Sequence, residues 1–302
     1  MELREQRYMV AIARHQSIKK AAQELHVTSP TLSTFLTHLE HQLGVKLFDR
    51  LGKAFIPTAA GQLYLQAAQK MLLVDESYEA QLSDLLQGTT GQITFGIHLR
   101  RTSYLIPPVL KRFLEEYPNV KVDTQEMDTG RAYQALEEGL LDFIVVNTKA
   151  AAKNYHYEEL YQDYLVAVLA ADDPICTRAR QLKDGHHWLN GKWLKEKRLI
   201  LQLPEQTART YTDQFLKSVP LIPKNPIILS NLETAAQMAA EGLGVAFNYE
   251  QYIRHFSYHK PIRYFLVGNC QPIPYYIVCR KDKYLPLYTR RFIQLLKKCP
   301  QK

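Results

Sequence analysis

Ser17-Ile18-Lys19-Lys20-Ala21-Ala22-Gln23-Glu24-Leu25-His26-Val27-Thr28-Ser29-Pro30-Thr31-Leu32-Ser33 is the stretch on which the fold turns. Ser17 is a good N-cap for a helix from Ile18 to about Leu25, because its hydroxyl can accept from the free amides of the first turn. Ala21 and Ala22 are small enough to let a neighbouring helix approach. His26-Val27-Thr28 makes a three-residue turn, and Thr28 or Ser29 caps the next helix. Pro30 sits in its first turn, where a missing N–H costs nothing. That helix carries Leu32, Leu36, Leu39 and Leu43 on one stripe and stops at Gly44. Upstream, Leu3, Val10 and Ala13, with Met9 alongside, form a stripe of their own. Two short helices joined by a tight turn are the helix-turn-helix pattern, whose second helix presents its N-terminal residues to the DNA major groove.

Working outward, Val45–Arg50 and Ala54–Pro57 flank Leu51-Gly52-Lys53 and predict a two-stranded hairpin, a wing. From Thr58 to about Gln87 the pattern is helical. Leu63, Ala67, Met71, Val74, Tyr78, Leu82 and Leu85 repeat every three to four residues. A helix this long predicts a dimerising linker, with a core helix of the following domain as the other reading. Gly88-Thr89-Thr90-Gly91 ends it.

Beyond Gly91, strands alternate with helices: strand Ile93–Ile97, helix Leu105–Tyr117, strand Val120–Gln125, helix Ala132–Glu138, strand Leu141–Val146. This order implies a mostly parallel sheet with helices on its faces. A second such region has strands near Leu165–Leu169, Leu199–Leu201 and Ile227–Ile228, and helices near Tyr211–Ser218 and Leu232–Glu241. The expected fold class is therefore α/β with an N-terminal all-α winged helix-turn-helix and a two-subdomain, periplasmic-binding-protein-like effector domain. Domain boundaries are expected at 1–58, 59–88 and 89–302, with subdomain I at about 89–161 and 266–302 and subdomain II at about 162–265.

Composition narrows the class. Among 302 residues, 46% are hydrophobic and 23% charged, the balance of a globular chain. MELREQRYMV lacks the apolar core of a secretory signal, and no apolar run approaches the roughly 20 residues that cross a bilayer. No membrane partner and a cytoplasmic location are expected. Cys176, Cys270, Cys279 and Cys299 show no Cys-x-x-Cys spacing and read as reduced thiols. The net charge of +8 suits a polyanion. Its distribution does not locate the DNA site: residues 1–60 carry 8 Lys/Arg against 5 Asp/Glu, 61–253 carry 19 against 24, and 254–302 carry 11 against 1. His186-His187 and His255-x-x-x-His259 lack zinc-ligand spacing, so no metal is expected. No Gly-x-Ser-x-Gly, phosphate loop or Cys/His signature suggests an enzyme.

Ala21-Ala22 through Leu25, Val27 through Ser33, Leu39-Glu40, Leu43-Gly44-Val45-Lys46-Leu47-Phe48-Asp49-Arg50 and Pro57-Thr58-Ala59-Ala60-Gly61 together resemble the LysR-type transcriptional regulators. Gly139-Leu140-Leu141-Asp142-Phe143-Ile144 and Ala240–Ala246 resemble landmarks of that family's effector domain. The resemblance implies a homo-oligomer, a dimer and often a tetramer, that binds double-stranded DNA and is modulated by a small effector between two α/β subdomains. RNA polymerase is a further candidate partner. Ser29 stands where the family commonly has Gln, Thr34-Phe35 where it has a basic or polar pair, and Gln6 where it has Leu. Shorter side chains at Ser29, Thr31 and Thr34 reach fewer base edges.

Candidate DNA contacts are Ser29, Thr31, Ser33, Thr34 and His38, with Arg50 and Lys53 flanking the wing turn; Arg50 could instead pair with Asp49 or Glu40. Candidate effector contacts are Thr102 and Ser103, read as hydroxyls at a helix N-terminus, then Thr129, Gln202, Thr207, Phe247 and Asn248 at the corresponding cleft edges. Arg100 and Arg101 point to an organic anion, or are surface charges. No other cofactor is expected. An effector-independent DNA-binding or architectural protein with an unused cleft is the alternative, and a solute-binding or enzymatic domain the third.

Overall fold

In the computed structural model, residues 3–52, 54–86, 89–219 and 221–299 are described. The N-terminal unit packs α1 (Arg4–His15), α2 (Ile18–Glu24) and α3 (Ser29–Leu43) around Met9, Ile12, Ala21, Ala22, Leu32, Leu36 and Leu39. Ser17 caps α2, its hydroxyl accepting from the Lys20 amide at 3.4 Å. Thr28, not Ser29, caps α3, its hydroxyl accepting from the Thr31 amide at 3.3 Å. Gly44 ends α3 at φ 67, where a side chain would be strained. Leu43 lies half exposed, so only the first three leucines of the stripe reach the core.

The wing pairs β1 (Phe48–Leu51) with β2 (Ala54–Pro57) in antiparallel register, Phe48 opposite Pro57. Helix α4 (Ala59–Leu85) starts against it. Thr58 caps α4 at Gly61 and donates its own hydroxyl to the Lys46 carbonyl at 2.7 Å. A Cβ on Gly61 would lie 1.9 Å from the Leu47 carbonyl oxygen, so the helix can seat on the wing only with glycine there.

Along the rest of the chain run β3 (Thr90–Ile97), α5 (Leu99–Glu116), β4 (Asn119–Glu126), α6 (Thr129–Glu137), β5 (Phe143–Val146), β6 (Tyr155–Asp163), β7 (Leu165–Ala170), β8 (Arg180–Gln181), β9 (His187–Trp188), β10 (Leu199–Leu201), α7 (Thr207–Ser218), β11 (Ile227–Ile228), α8 (Leu232–Ala240), β12 (Val245–Tyr249), α9 (Glu250–His255), β13 (Ile262–Leu266), β14 (Ile273–Arg280) and α10 (Leu287–Lys298). They build two sheets, ordered β4-β3-β5-β14-β6 and β11-β10-β12-β7-β13-β9-β8. The chain crosses between them twice, from β6 into β7 at Tyr164 and from β13 back to β14. Both sheets are mixed: β3 pairs parallel with β4 and β5, whereas β14 runs antiparallel to β5 and β6. In the other sheet, β10 is parallel to β11 and β12, and β7 is antiparallel to β12 and β13.

Helix α5 begins at Leu99, six residues before the expected start, and runs through Pro107 and Pro108. Those prolines offer no N–H to the carbonyls four residues before them, yet burial of Leu105, Ile106, Val109 and Phe113 keeps the helix in place. Helix α4 is tied to the unit built on the β4-β3-β5-β14-β6 sheet: Tyr284 donates to Asp84 at 2.8 Å, and Lys283 lies between Asp142 (2.9 Å) and Glu76 (3.9 Å). Much of the C-terminal basic excess meets the acidic middle of the chain, as in Arg291–Glu116 and Lys297–Glu158. Its charge is a packing complement, which is why it does not mark a DNA face.

Candidate nucleic-acid interface and ligand cleft

Burial of Leu32, Leu36 and Leu39 fixes which side of α3 faces outward. Thr31, Ser33, Thr34 and His38 are exposed on it, and Ser29 is half-buried at its start. The Thr31 hydroxyl is engaged with Thr28 at 2.8 Å, leaving Ser33, Thr34 and His38 as the freer polar groups. Thr37 shares this face, although nothing in the sequence singles it out; its hydroxyl turns back to the Ser33 carbonyl at 3.0 Å. On the wing Arg50 is exposed with its guanidinium 5.8 Å from the Phe55 ring centroid. Lys53 lies outside the described residues.

Glu40, one alternative partner for Arg50, is committed elsewhere. It pairs with Lys46 at 2.7 Å and accepts from the Leu47 and Phe48 amides at 2.8 and 3.2 Å. Burial pushes its carboxyl up, but Lys46 and the two amides outweigh it and hold the group below its ordinary value. Glu40 thus joins the recognition helix to the wing.

Between the two sheet-bearing units lies a cavity of about 420 Å³ lined by His98, Arg101, Asp128, Thr129, Gly130, Asn147, Glu205, Gln206, Thr207, Ala208, Leu232, Tyr249 and Tyr252. A small organic molecule fits such a volume. The first turns of α5, α6, α7 and α8 all contribute lining residues, so four helix N-termini meet at it. Asn147 donates from Nδ2 to the Tyr249 and Tyr275 hydroxyls at 3.0 and 3.3 Å. Outside the cavity, Arg100 bridges the units by bonding Glu233 and, at 2.7 Å, Asn231.

Of the seven expected effector contacts, Thr129 and Thr207 line the cavity. The other five do not. Thr102 and Ser103 sit inside α5, because the helix starts earlier than expected; their hydroxyls bond the His98 and Arg100 carbonyls at 3.5 and 3.0 Å. His98 takes the cap position, and Arg101 turns into the cleft. Gln202 is buried, donating to the Phe247 carbonyl at 2.8 Å, and Phe247 is wholly inside the core. Asn248 is occupied with the Leu232 carbonyl and the Tyr249 amide. Arg100 and Arg101, for which the sequence left surface charges as one reading, are a bridge and a buried cation.

Residues 3–62 match the bacterial regulatory helix-turn-helix protein, lysR family, and residues 86–299 match the LysR substrate binding domain. The chain belongs to the LysR family of transcriptional regulators, with a DNA-binding helix-turn-helix and an effector-binding domain. The HTH-type transcriptional regulator YtlI of Bacillus subtilis (strain 168) is 32% identical over 178 residues, which is 59% of this chain and 58% of that protein. YwqM of the same strain, an uncharacterized HTH-type transcriptional regulator, is 26% identical over 302 residues, 99% of each chain. A full-length OxyR variant from Pseudomonas aeruginosa shares the fold with a TM-score of 0.72 at 24% identity, covering 99% of this chain and 94% of that one.

Proposed function

We propose that this regulator reads double-stranded DNA as a homodimer, through the exposed face of α3 and the wing, and that a small molecule held in the 420 Å³ cleft modulates it. The observation that carries the reading is the division of α3: leucines inward, and Thr34, His38 and their neighbours outward, on a helix braced at both ends by caps. Short hydroxyl side chains can bond phosphates and some base edges, and Arg50 adds a cation at the wing.

Dimerisation rests on α4. Leu63, Met71, Val74, Tyr78, Leu82 and Leu85 are all exposed, Leu63 at 70% and Leu85 at 81%. They are separated by 8, 3, 4, 4 and 3 residues, so they fall along one side of the helix as an apolar stripe that an isolated chain leaves in water and a second copy of α4 could cover. Two such helices in contact would place two recognition helices on one duplex. Among the described residues no helix is long and apolar enough to cross a membrane.

Selection of bound duplexes from a random DNA pool, with and without a cellular metabolite extract, tests the reading. A roughly two-fold symmetric motif is expected, with its enrichment altered by the extract. An enriched motif indifferent to every extract would leave the effector-independent regulator. No motif at low salt would overturn the DNA reading.

A further inference from the structure

Arg101 is an unusual group in this protein. It is 4% exposed, lines the cleft, and pairs with no carboxylate among the described residues. Its Nη2 donates to the Tyr275 hydroxyl at 3.0 Å, and its guanidinium carbon lies 4.1 Å from that ring's centroid and 5.9 Å from that of Tyr252. Its Nε has no hydrogen-bond partner. A guanidinium stays charged in any protein environment, and a buried charge left without an opposite one is costly. Ring faces and one hydroxyl offset only part of that cost.

The surroundings favour one negative charge and no more. Arg101 is the sole Lys or Arg among the cavity's lining residues, while Asp128 and Glu205 are exposed at its rim. His98 is kept neutral by burial and by Arg101 and Arg100, its pKa pulled down to about 4. Behind the site, Asp163 is wholly buried; its Oδ1 is taken by the Tyr164 and Gln251 amides, and Oδ2 has no partner. The N-termini of α5, α6, α7 and α8 add partial positive charge at the walls, and α7 begins with no side-chain cap. Tyr249, Tyr252, Leu232 and Ala208 supply apolar surface for the remainder of a ligand.

Taking the cleft to be the effector site, as proposed above, we infer that the effector is a small organic monocarboxylate, its carboxylate paired with Arg101 and its apolar body against Tyr249 and Tyr252. A second ionised group on the ligand would meet Asp128 or Glu205 and be disfavoured. Inorganic phosphate would leave the apolar wall unused.

The test is calorimetric titration and thermal stabilisation of the full chain with a panel of monocarboxylates, their matched amides, dicarboxylates and inorganic phosphate. Bodies range from acetate up to about one aromatic ring, consistent with the cavity. Wild type is compared with Arg101→Met, Arg101→Lys and Gly130→Trp. Gly130 is exposed at the cavity wall, and its nearest neighbour to an added Cβ is Asp128 Oδ1 at 3.4 Å, so tryptophan there fills the cleft without disturbing the core. At least one monocarboxylate is expected to bind while its amide does not. Arg101→Met should weaken it roughly 10- to 100-fold, Arg101→Lys less, and Gly130→Trp should abolish it. The wild-type contrast between acid and amide decides the matter even if Arg101→Met fails to fold.

Binding of amides as well as acids, blocked by Gly130→Trp but untouched by Arg101→Met, would overturn the charge assignment and leave the cleft as effector site. Binding indifferent to Gly130→Trp would overturn the cleft reading itself. Phosphate binding as tightly as any monocarboxylate would overturn the organic body, and no binding by any acid would overturn the inference.

Discussion

The two functional regions each bury a charge, and they treat it differently. Under the wing, Glu40 has Lys46 and the Leu47 and Phe48 amides, so the charge is paired and hydrogen-bonded. Under the cleft, Arg101 has one hydroxyl, two ring faces and an unpartnered Nε. The first arrangement holds a structure together. The second is incomplete by the same physical standard, and that incompleteness beside a cavity is the basis for pairing Arg101 with a carboxylate.

Three variants test that contrast. The largest effect is expected at Glu40→Ala, which leaves the Leu47 and Phe48 amides buried without an acceptor and Lys46 without its partner. A loss of about 3–5 kcal/mol is expected, measured by denaturant unfolding, with the DNA-binding unit melting first. A loss under about 1 kcal/mol would mean that the brace is dispensable.

Asp163→Asn comes next, read against pH. Burial pushes the Asp163 carboxyl up to about 7, the Tyr164 and Gln251 amides and Arg101 countering only in part. The native state therefore holds this proton to higher pH than the unfolded chain, where the group titrates near 4. Its contribution favours folding most below about pH 4 and is lost as pH rises to about 7. Relative to wild type, Asp163→Asn should remove a decline on the order of 2–4 kcal/mol across that window. Parallel stability–pH curves for the two proteins would contradict the assignment.

The smallest effect belongs to the double change Thr102→Ala and Ser103→Ala. Both hydroxyls bond carbonyls of their own helix. Removing them should change ligand affinity less than about two-fold and stability by under about 0.5 kcal/mol. A larger loss of effector response would return these residues to the site.

How much the sequence revealed follows the same division. The caps of α2 and α3, the wing hairpin and the exposed apolar stripe of α4 are written in short-range spacing, and they stand close to where the spacing puts them. Strands β6 and β14 went unread for local reasons. β14 carries Pro274, which argues against an interior strand, yet Pro274 faces only Gln162 and lies beyond the reach of β5. The alternation of β6 is interrupted where the register shifts opposite Tyr275 and Tyr276. The cleft depends on contacts across more than a hundred residues, such as Arg101 with Tyr275 and Asn147 with Tyr249. Helix α5 starts at Leu99 rather than Leu105, which puts His98 and Arg101, not Thr102 and Ser103, at the cleft.

DNA reading is assigned above to the outward face of α3. Fluorescence anisotropy of the full chain on its selected duplex, wild type against Thr34→Glu, tests it most directly. Thr34 is exposed and outside the core, so the fold should survive while an added negative charge meets phosphate. A loss of at least about ten-fold in affinity is expected. A folded Thr34→Glu protein that binds as tightly as wild type would contradict the assignment.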